Sequence, residues 1–337
     1  MDISSKQDSV SLLPQSVKLL PKQEKGKIIV LAGPTATGKT EISLEIARIL
    51  NGEIISADSM QVYRGMDIGT AKVSKKHREE IPHHLIDIQD IDTPFNVVDF
   101  CHAAFQAIHK ILAAGHVPIV VGGTGFYIHS LLYGPPMGPP SVPSLRKSLE
   151  NEMEKFGAEL LFDKLRKLDP EYAKTITFRD KQKIVRGLEI ISLTNQRVSD
   201  FKNLPSQISQ EWSQYNFRCW FIYYPREILY PKIEQRCEKM LQDGLLKEIR
   251  HLLDAGLKEN QTASQAIGYK QGIEYLEGPQ TEKDYQEFVR KFKTASRQYA
   301  KRQFTWFKKE SSFRWMNLED LPKELLLEYI IQDYEHS

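Results

Sequence analysis

The chain has 337 residues, 41% hydrophobic and 27% charged, enough to bury a core in more than one compact unit, so disorder is excluded as the default. Its 46 basic and 44 acidic residues leave a formal net charge of +2, so a nucleic-acid surface has to come from local segregation of charge. Cys101, Cys219 and Cys237 lack Cys-x-x-Cys spacing and a nearby His pattern, which argues against a zinc site and for a reducing compartment.

In chain order, residues 1–26 mix Ser, Gln, Pro and Lys and are expected to form a flexible N-terminal extension. They lack the basic and apolar regions of a secretory signal, and no apolar run approaches the roughly 20 residues that span a bilayer. The expected location is therefore cytoplasmic, with no membrane partner. Lys27-Ile28-Ile29-Val30-Leu31-Ala32 reads as a buried strand. It runs into Gly33-Pro34-Thr35-Ala36-Thr37-Gly38-Lys39-Thr40, and then into a segment with Ile42, Ile46 and Ile49 at helical spacing. That run has the full pattern of a phosphate-gripping P-loop: a Gly-rich turn offering backbone N–H donors, Lys39 as a point charge and the Thr40 hydroxyl as a ligand for Mg²⁺.

Further strand-like runs follow at 53–57, 84–88 and 117–121, with a helix expected over 97–113. Apolar strands alternating with helices indicate a parallel sheet covered on both faces. An ordinary P-loop nucleotidase carries an aspartate at the end of a later strand to hold Mg²⁺, but here that strand ends in Gly122-Gly123-Thr124-Gly125. Asp58, after the second strand, is the carboxylate expected to face the loop. Asp-Ser is equally a common turn cap, so its role stays open. Adjacent His83 and His84 point to opposite faces of a strand and do not suggest a shared metal.

Five prolines among residues 134–143 mark a linker, and the helical, charged sequence to about 214 reads as an insertion. The run 217–223 is expected to return to the sheet, so the core is discontinuous: 27–134 and 216–318, with the helical insertion at 135–215 and a helical tail at 319–337. A long helix over 282–308 carries eight basic residues and no acid between Arg290 and Lys309. Lys293, Arg297 and Lys301 lie on one face of it, and Phe288, Phe292, Ala295 and Tyr299 form an apolar stripe. The docked helix would present a cationic edge to nucleic acid or polyphosphate. Arg179, Lys181, Lys183 and Arg186 form a smaller basic cluster in the insertion, and Arg236 by itself reads as a surface ion-pair residue.

Together, the P-loop run, Ser56-Ala57-Asp58-Ser59-Met60-Gln61-Val62-Tyr63 and Asp67-Ile68-Gly69-Thr70-Ala71-Lys72 resemble the tRNA dimethylallyltransferase family. The resemblance continues through Pro82-His83-His84-Leu85-Ile86-Asp87, Val121-Gly122-Gly123-Thr124-Gly125, Ile267-Gly268-Tyr269 and Arg297-Gln298-Tyr299-Ala300-Lys301-Arg302-Gln303-Phe304-Thr305-Trp306. It implies a P-loop NTPase-like α/β core with an all-helical tRNA-binding insertion. The implied reaction transfers a dimethylallyl group from dimethylallyl diphosphate to N6 of the adenosine immediately 3′ of the anticodon, with Mg²⁺ and release of diphosphate.

By the same resemblance, Asp58 is the general base, Thr124 positions the adenine, and Lys39 and Arg236 stabilise the diphosphate. The implied tRNA contacts are Asp58, Ser59, Met60, Gln61 and Thr124 in the core, and Arg146, Gln182, Lys183, Ile184, Val185 and Arg186 in the insertion. Gly268, Tyr269, Lys270, Arg297, Lys301 and Arg302 complete them. The expected partners are the anticodon stem-loop and dimethylallyl diphosphate, acting on a monomer of the shorter, bacterial-type architecture. A prenyltransferase acting on free adenine nucleotides and an ATP-dependent small-molecule kinase are the alternatives. The basic helix and large insertion argue for a macromolecular acceptor over both.

Overall fold

The computed structural model describes residues 26–201 and 214–336; all but the last residue of the N-terminal extension, and the end of the insertion, lie outside these ranges. The first part of the core runs β1 (Gly26–Ala32), α1 (Lys39–Leu50), β2 (Gly52–Ala57), α2 (Lys75–Glu80), β3 (His83–His84), α3 (Val97–Ala113), β4 (Val117–Gly122) and α4 (Gly125–Tyr133). The insertion contributes α5 (Pro143–Phe156), α6 (Ala158–Leu168), α7 (Pro170–Ala173), α8 (Lys181–Thr194) and α9 (Val198–Phe201). The core resumes with β5 (Tyr215–Tyr223), α10 (Arg226–Gln242), α11 (Leu245–Asp254), α12 (Tyr269–Leu276), α13 (Glu282–Phe307), β6 (Phe313–Asn317) and α14 (Lys323–Glu335).

Six strands form one parallel sheet in the order β3-β2-β4-β1-β5-β6. Successive residues of β1 alternate between its faces. Ile28, Val30 and Ala32 join Ile55, Val120 and Phe221 beneath α3, α4, α10 and α13, while Ile29 and Leu31 join Ile54, Ile119 and Ile222 beneath α1 and α14. Both faces are thus apolar, which is why the strands read as continuous hydrophobic runs. The run 217–223 does return to the sheet, pairing with β1 from Tyr215 onward.

One expectation about strands needs correction. The run 84–88 is not a strand: β3 ends at His84, and Leu85 and Asp87 take left-handed φ values of 63° and 56°. Asp87 turns there because its carboxylate receives Lys72 and Arg78, both at 2.6 Å, while its N–H donates to Gln61 O at 3.2 Å. The short aromatic run Phe313-Arg314-Trp315 lies in a further strand, β6, at the sheet edge beside β5.

The long helix is capped by a reciprocal Thr281/Asp284 box, an arrangement worth about 1 kcal/mol. Its buried line is Phe288, Phe292, Ser296, Ala300, Gln303 and Phe307 rather than one through Ala295 and Tyr299, because its final turns pack onto the sheet near Phe221. The insertion has a core of its own, built from Leu149, Leu161, Leu165, Ile184, Val185 and Leu188. The end of the proline-rich linker is fastened to it. Glu189, fully buried, accepts from Ser141 Oγ at 2.6 Å, Val142 N at 2.8 Å and Arg186 at 2.7 Å, and Arg186 also donates to Pro139 O at 2.5 Å.

Candidate active site

The C-terminal ends of β1, β2 and β4 open into a cavity of about 530 Å³, walled on the far side by α10 and α13. Its floor is the loop 33–40, where Ala36 and Gly38 turn through left-handed φ values of 65° and 82° and the Thr37 hydroxyl donates to Pro34 O at 2.9 Å. The N-terminus of α1 and the loop amides favour an anion here. Lys39 Nζ folds back onto Gly33 O at 2.9 Å and Pro34 O at 2.7 Å. Burial, with Arg236 nearby, lowers its pKa to about 7, and Asp58 opposes that shift. Arg236, from α10, lines the same cavity and makes no ion pair among the described residues; burial lowers its pKa, again opposed by Asp58. Arg236 is therefore not the surface ion-pair residue that its sequence context suggests.

Asp58 serves a turn and also faces the cavity, through different atoms. Oδ1 accepts from Met60 N at 2.9 Å and Gln61 N at 3.3 Å, while Oδ2 has no hydrogen bond among the described residues. Thr124 stands at the N-cap of α4, yet its hydroxyl accepts from Ser59 N at 3.2 Å and pairs with Tyr299 from α13. Burial pushes the Tyr299 phenol well above its ordinary pKa, so it stays protonated. Gln61 is bound to Ser56 Oγ at 2.9 Å and Thr70 O at 3.2 Å, which holds it against the cavity wall.

Two residues that sequence reasoning did not single out organise the cavity. Gln303, buried on α13, accepts from Thr35 N at 3.1 Å and donates to Gly123 O at 2.9 Å, so one amide joins the P-loop to the end of β4. Its only advance signal is a polar residue in an apolar helical stripe. Glu248 on α11 accepts from the backbone N–H groups of Asp67, Ile68 and Gly69 at 3.0, 2.6 and 3.1 Å and from the Tyr269 hydroxyl at 2.6 Å. Nothing local in the sequence marks it. Tyr269 is fully buried and lies so close to Gly69 that a Cβ there would fall 2.4 Å from its ring.

The absent carboxylate at the end of β4 has a steric counterpart. A Cβ on Gly122 would lie 2.2 Å from Ala57 O, one on Gly123 2.1 Å from Gln303 Nε2, and one on Gly125 2.4 Å from the Trp306 ring. At Gly123 and Gly125 it is α13 that fills the place a side chain would need, and at Gly122 it is β2.

The cationic edge is narrower than its sequence suggests. Arg290 pairs with Glu287, Lys291 with Glu274, Lys293 with Glu238 and Arg297 with Glu234. Lys301, Arg302, Lys308 and Lys309 make no ion pair among the described residues, so the unpaired charge gathers at the cavity end of the helix. In the insertion, Arg146 from α5 and Gln182 from α8 are hydrogen-bonded to each other, and Lys183 lies 3.8 Å from Asp180. Ile184 and Val185 are buried in the insertion core, and Arg186 is engaged by the linker. Of that block only Arg146, Gln182 and Lys183 present polar side chains outward. Gly268, at φ 91°, and exposed Lys270 flank Tyr269 at the start of α12.

His83 and His84 meet different partners: His83 Nδ1 lies 2.7 Å from Ile81 O, and His84 Nε2 lies 2.6 Å from Glu53, which also holds His116. The three cysteines are buried and unpaired, with burial pushing the Cys101 and Cys219 thiols up to about 12. Among the described residues no helix is long and apolar enough to cross a membrane.

The IPP transferase family model matches residues 61–310. A tRNA dimethylallyltransferase of Protochlamydia amoebophila is 56% identical over 93% of this chain and 90% of that protein. The crystal structure of a tRNA isopentenylpyrophosphate transferase from Bacillus halodurans superposes with a TM-score of 0.66 at 37% identity, covering 93% of this chain and 98% of the other. A eukaryotic dimethylallyltransferase captured acting on tRNA superposes with a TM-score of 0.70 at 29% identity, covering 87% and 74%.

Proposed function

The chain belongs to the IPP transferase family of tRNA dimethylallyltransferases, and from that premise we propose how its cavity carries out the transfer. It is an enzyme that transfers a dimethylallyl group to tRNA. The donor in this proposal is dimethylallyl diphosphate, and the acceptor is N6 of the adenosine immediately 3′ of the anticodon, with the protein acting as a monomer. The single observation that carries the assignment is the convergence of Lys39, Arg236 and Asp58 on one cavity.

An exocyclic adenine amine is a poor nucleophile, so catalysis rests on helping the diphosphate leave, aligning the allylic carbon and removing the amine proton. The P-loop run Gly33, Pro34, Thr35, Ala36, Thr37 and Gly38 would cradle the diphosphate with its free N–H groups, the Thr35 N–H being held by Gln303, and Lys39 would turn from the carbonyls of Gly33 and Pro34 onto its oxygens. Arg236 meets the same group from the opposite wall. As the bond from N6 to the allylic carbon forms, the carbon–oxygen bond breaks and its electron pair leaves with diphosphate. The amine proton passes to Asp58 Oδ2, the oxygen that its turn leaves free. Thr124, fixed between Ser59 and Tyr299, orients the adenine, which has to be lifted from its stack to reach this depth.

A divalent cation suits the donor set present. Among the described residues no group of three or more His, Cys, Asp or Glu side chains could cage a metal, but Mg²⁺ commonly takes few protein ligands and completes its shell with phosphate and water. The exposed Thr40 hydroxyl lines the cavity and would hold it, with diphosphate oxygens and water completing the shell. When bound, Mg²⁺ would neutralise charge on the departing diphosphate. Lys301, Arg302 and Lys270 around the cavity, with Arg146, Gln182 and Lys183 on the insertion, would hold the anticodon stem-loop by its backbone.

Incubation of unmodified tRNA with labelled dimethylallyl diphosphate, followed by nucleoside analysis, tests the reading. The expected result is label on N6 of one adenosine beside the anticodon. Label on free AMP alone, or ATP turnover without the allylic donor, would overturn it.

A further inference from the structure

Beyond the cavity, α13 continues outward along one face. Tyr299 and Arg302 line the cavity, and Trp306 follows one turn later, at i+4 from Arg302. Trp306 is 39% exposed and Phe126, on α4 two residues after Thr124, is 42% exposed. Their rings meet edge to face, with centroids 6.1 Å apart at 65°. Two exposed aromatic rings in contact make a contiguous apolar patch, unlike the exposed side chains scattered singly over the surface, and this patch lies beside the site.

The pair is also held rigidly. Trp306 lies against the backbone at Gly125, where a Cβ would be 2.4 Å from its ring, and His129, one turn further along α4, meets it edge to face with centroids 6.3 Å apart. His129 is itself anchored to Glu310 at 2.8 Å. A ring fixed in advance loses little freedom when a flat ligand covers it, and a nucleobase is such a ligand. The surrounding charge selects the same occupant: Lys301, Arg302, Lys308 and Lys309, none paired with a carboxylate among the described residues, suit a polyanion and disfavour a second copy of this chain.

We propose that Phe126 and Trp306 form a stacking platform at the mouth of the cavity for the anticodon-loop base that adjoins the target adenosine. This rests on the tRNA reading above. Lifting the target base breaks its stacking with that neighbour, and the platform replaces the lost contact outside while Thr124 and Tyr299 receive the target inside.

The test uses the full chain, dimethylallyl diphosphate and three anticodon stem-loops: intact, abasic on the 5′ side of the target, and abasic on the 3′ side. On the intact loop, Phe126→Leu should raise KM about tenfold with kcat changed less than twofold, whereas Phe126→Tyr should stay near wild type. One abasic loop should cost the wild type about tenfold in kcat/KM and cost Phe126→Leu nothing further. Penalties that multiply on both abasic loops would overturn the platform, since ring and base would then act independently. An equal loss in Phe126→Tyr and Phe126→Leu would overturn it as well. No product from wild type on the intact loop would remove the transfer reading itself, and the platform with it.

Discussion

The sheet end and the insertion hold their functional side chains in opposite ways. At the sheet end, distant parts of the chain meet: Gln303 reaches Thr35 across 268 residues and Gly123 across 180, and Glu248 holds the backbone at 67–69. In the insertion the pairs are between near neighbours or neighbouring helices, such as Arg186 with Glu189, Lys183 with Asp180 and Arg146 with Gln182. Bond-making needs groups fixed relative to one another from several directions, which only long-range bracing supplies. The grip on tRNA proposed for the insertion needs charge on a firm surface, and a helical unit with its own core is such a surface.

Variants that separate chemistry from grip can break this contrast. The largest effect is expected for Asp58→Ala: a loss of about a thousandfold in the single-turnover rate, with tRNA affinity within about twofold of wild type. Wild-type transfer rates would remove Asp58 from the mechanism. Gln303→Ala comes next. Releasing the P-loop from β4 should lower kcat/KM about a hundredfold while leaving a cooperative thermal transition, and a loss seen only in tRNA affinity would show that the brace serves grip instead.

A third effect sharpens the electrostatics. Lys39 has its pKa lowered to about 7, so it is charged below that pH and loses its proton above it. Bound diphosphate favours the charged form, so binding above pH 7 has to take up a proton. Affinity for inorganic diphosphate should be greatest below pH 7 and weaken by up to about tenfold per pH unit above it. Lys39→Arg, which stays charged, should flatten that slope, as calorimetry in buffers of different ionisation heat would show.

The smallest effect belongs to the insertion. Glu189→Ala leaves Val142 N–H and Arg186 without their acceptor, which should lower unfolding stability by about 2 kcal/mol and raise KM for tRNA about threefold, with kcat unchanged. Burial pushes the Glu189 carboxyl up, but Ser141, Arg186 and Val142 more than offset it and hold the group below its ordinary pKa. The fastening is therefore complete above the ordinary carboxylate range and is lost as pH falls through the lowered value. A fall in kcat would mean that the insertion shapes the cavity directly.

What was legible in the sequence follows the same divide. β1, β2, β4 and β5 show themselves because each is buried on both faces, and the P-loop shows itself because its pattern is local. β3 has only two residues, and β6, with Arg314 exposed at the sheet edge, lacks the continuous apolar run. Ile184 and Val185 sit in a block implied to touch tRNA, yet the insertion's helical periodicity already assigns apolar residues there to its core. Gln303 and Glu248 have their effect on partners far along the chain, so no window around either could reveal it.

The crowding at Gly122, Gly123 and Gly125 carries a consequence for how far this scaffold can be re-engineered. An aspartate at Gly122 would meet Ala57 O, one at Gly125 the Trp306 ring, and one at Gly123 would have to displace the Gln303 amide. Moving α13 away would undo the brace and the aromatic rim together. At two of the three glycines the crowding comes from α13, the same helix that ties the P-loop to the end of β4, so the packing that excludes a side chain there is also the packing that fixes the loop.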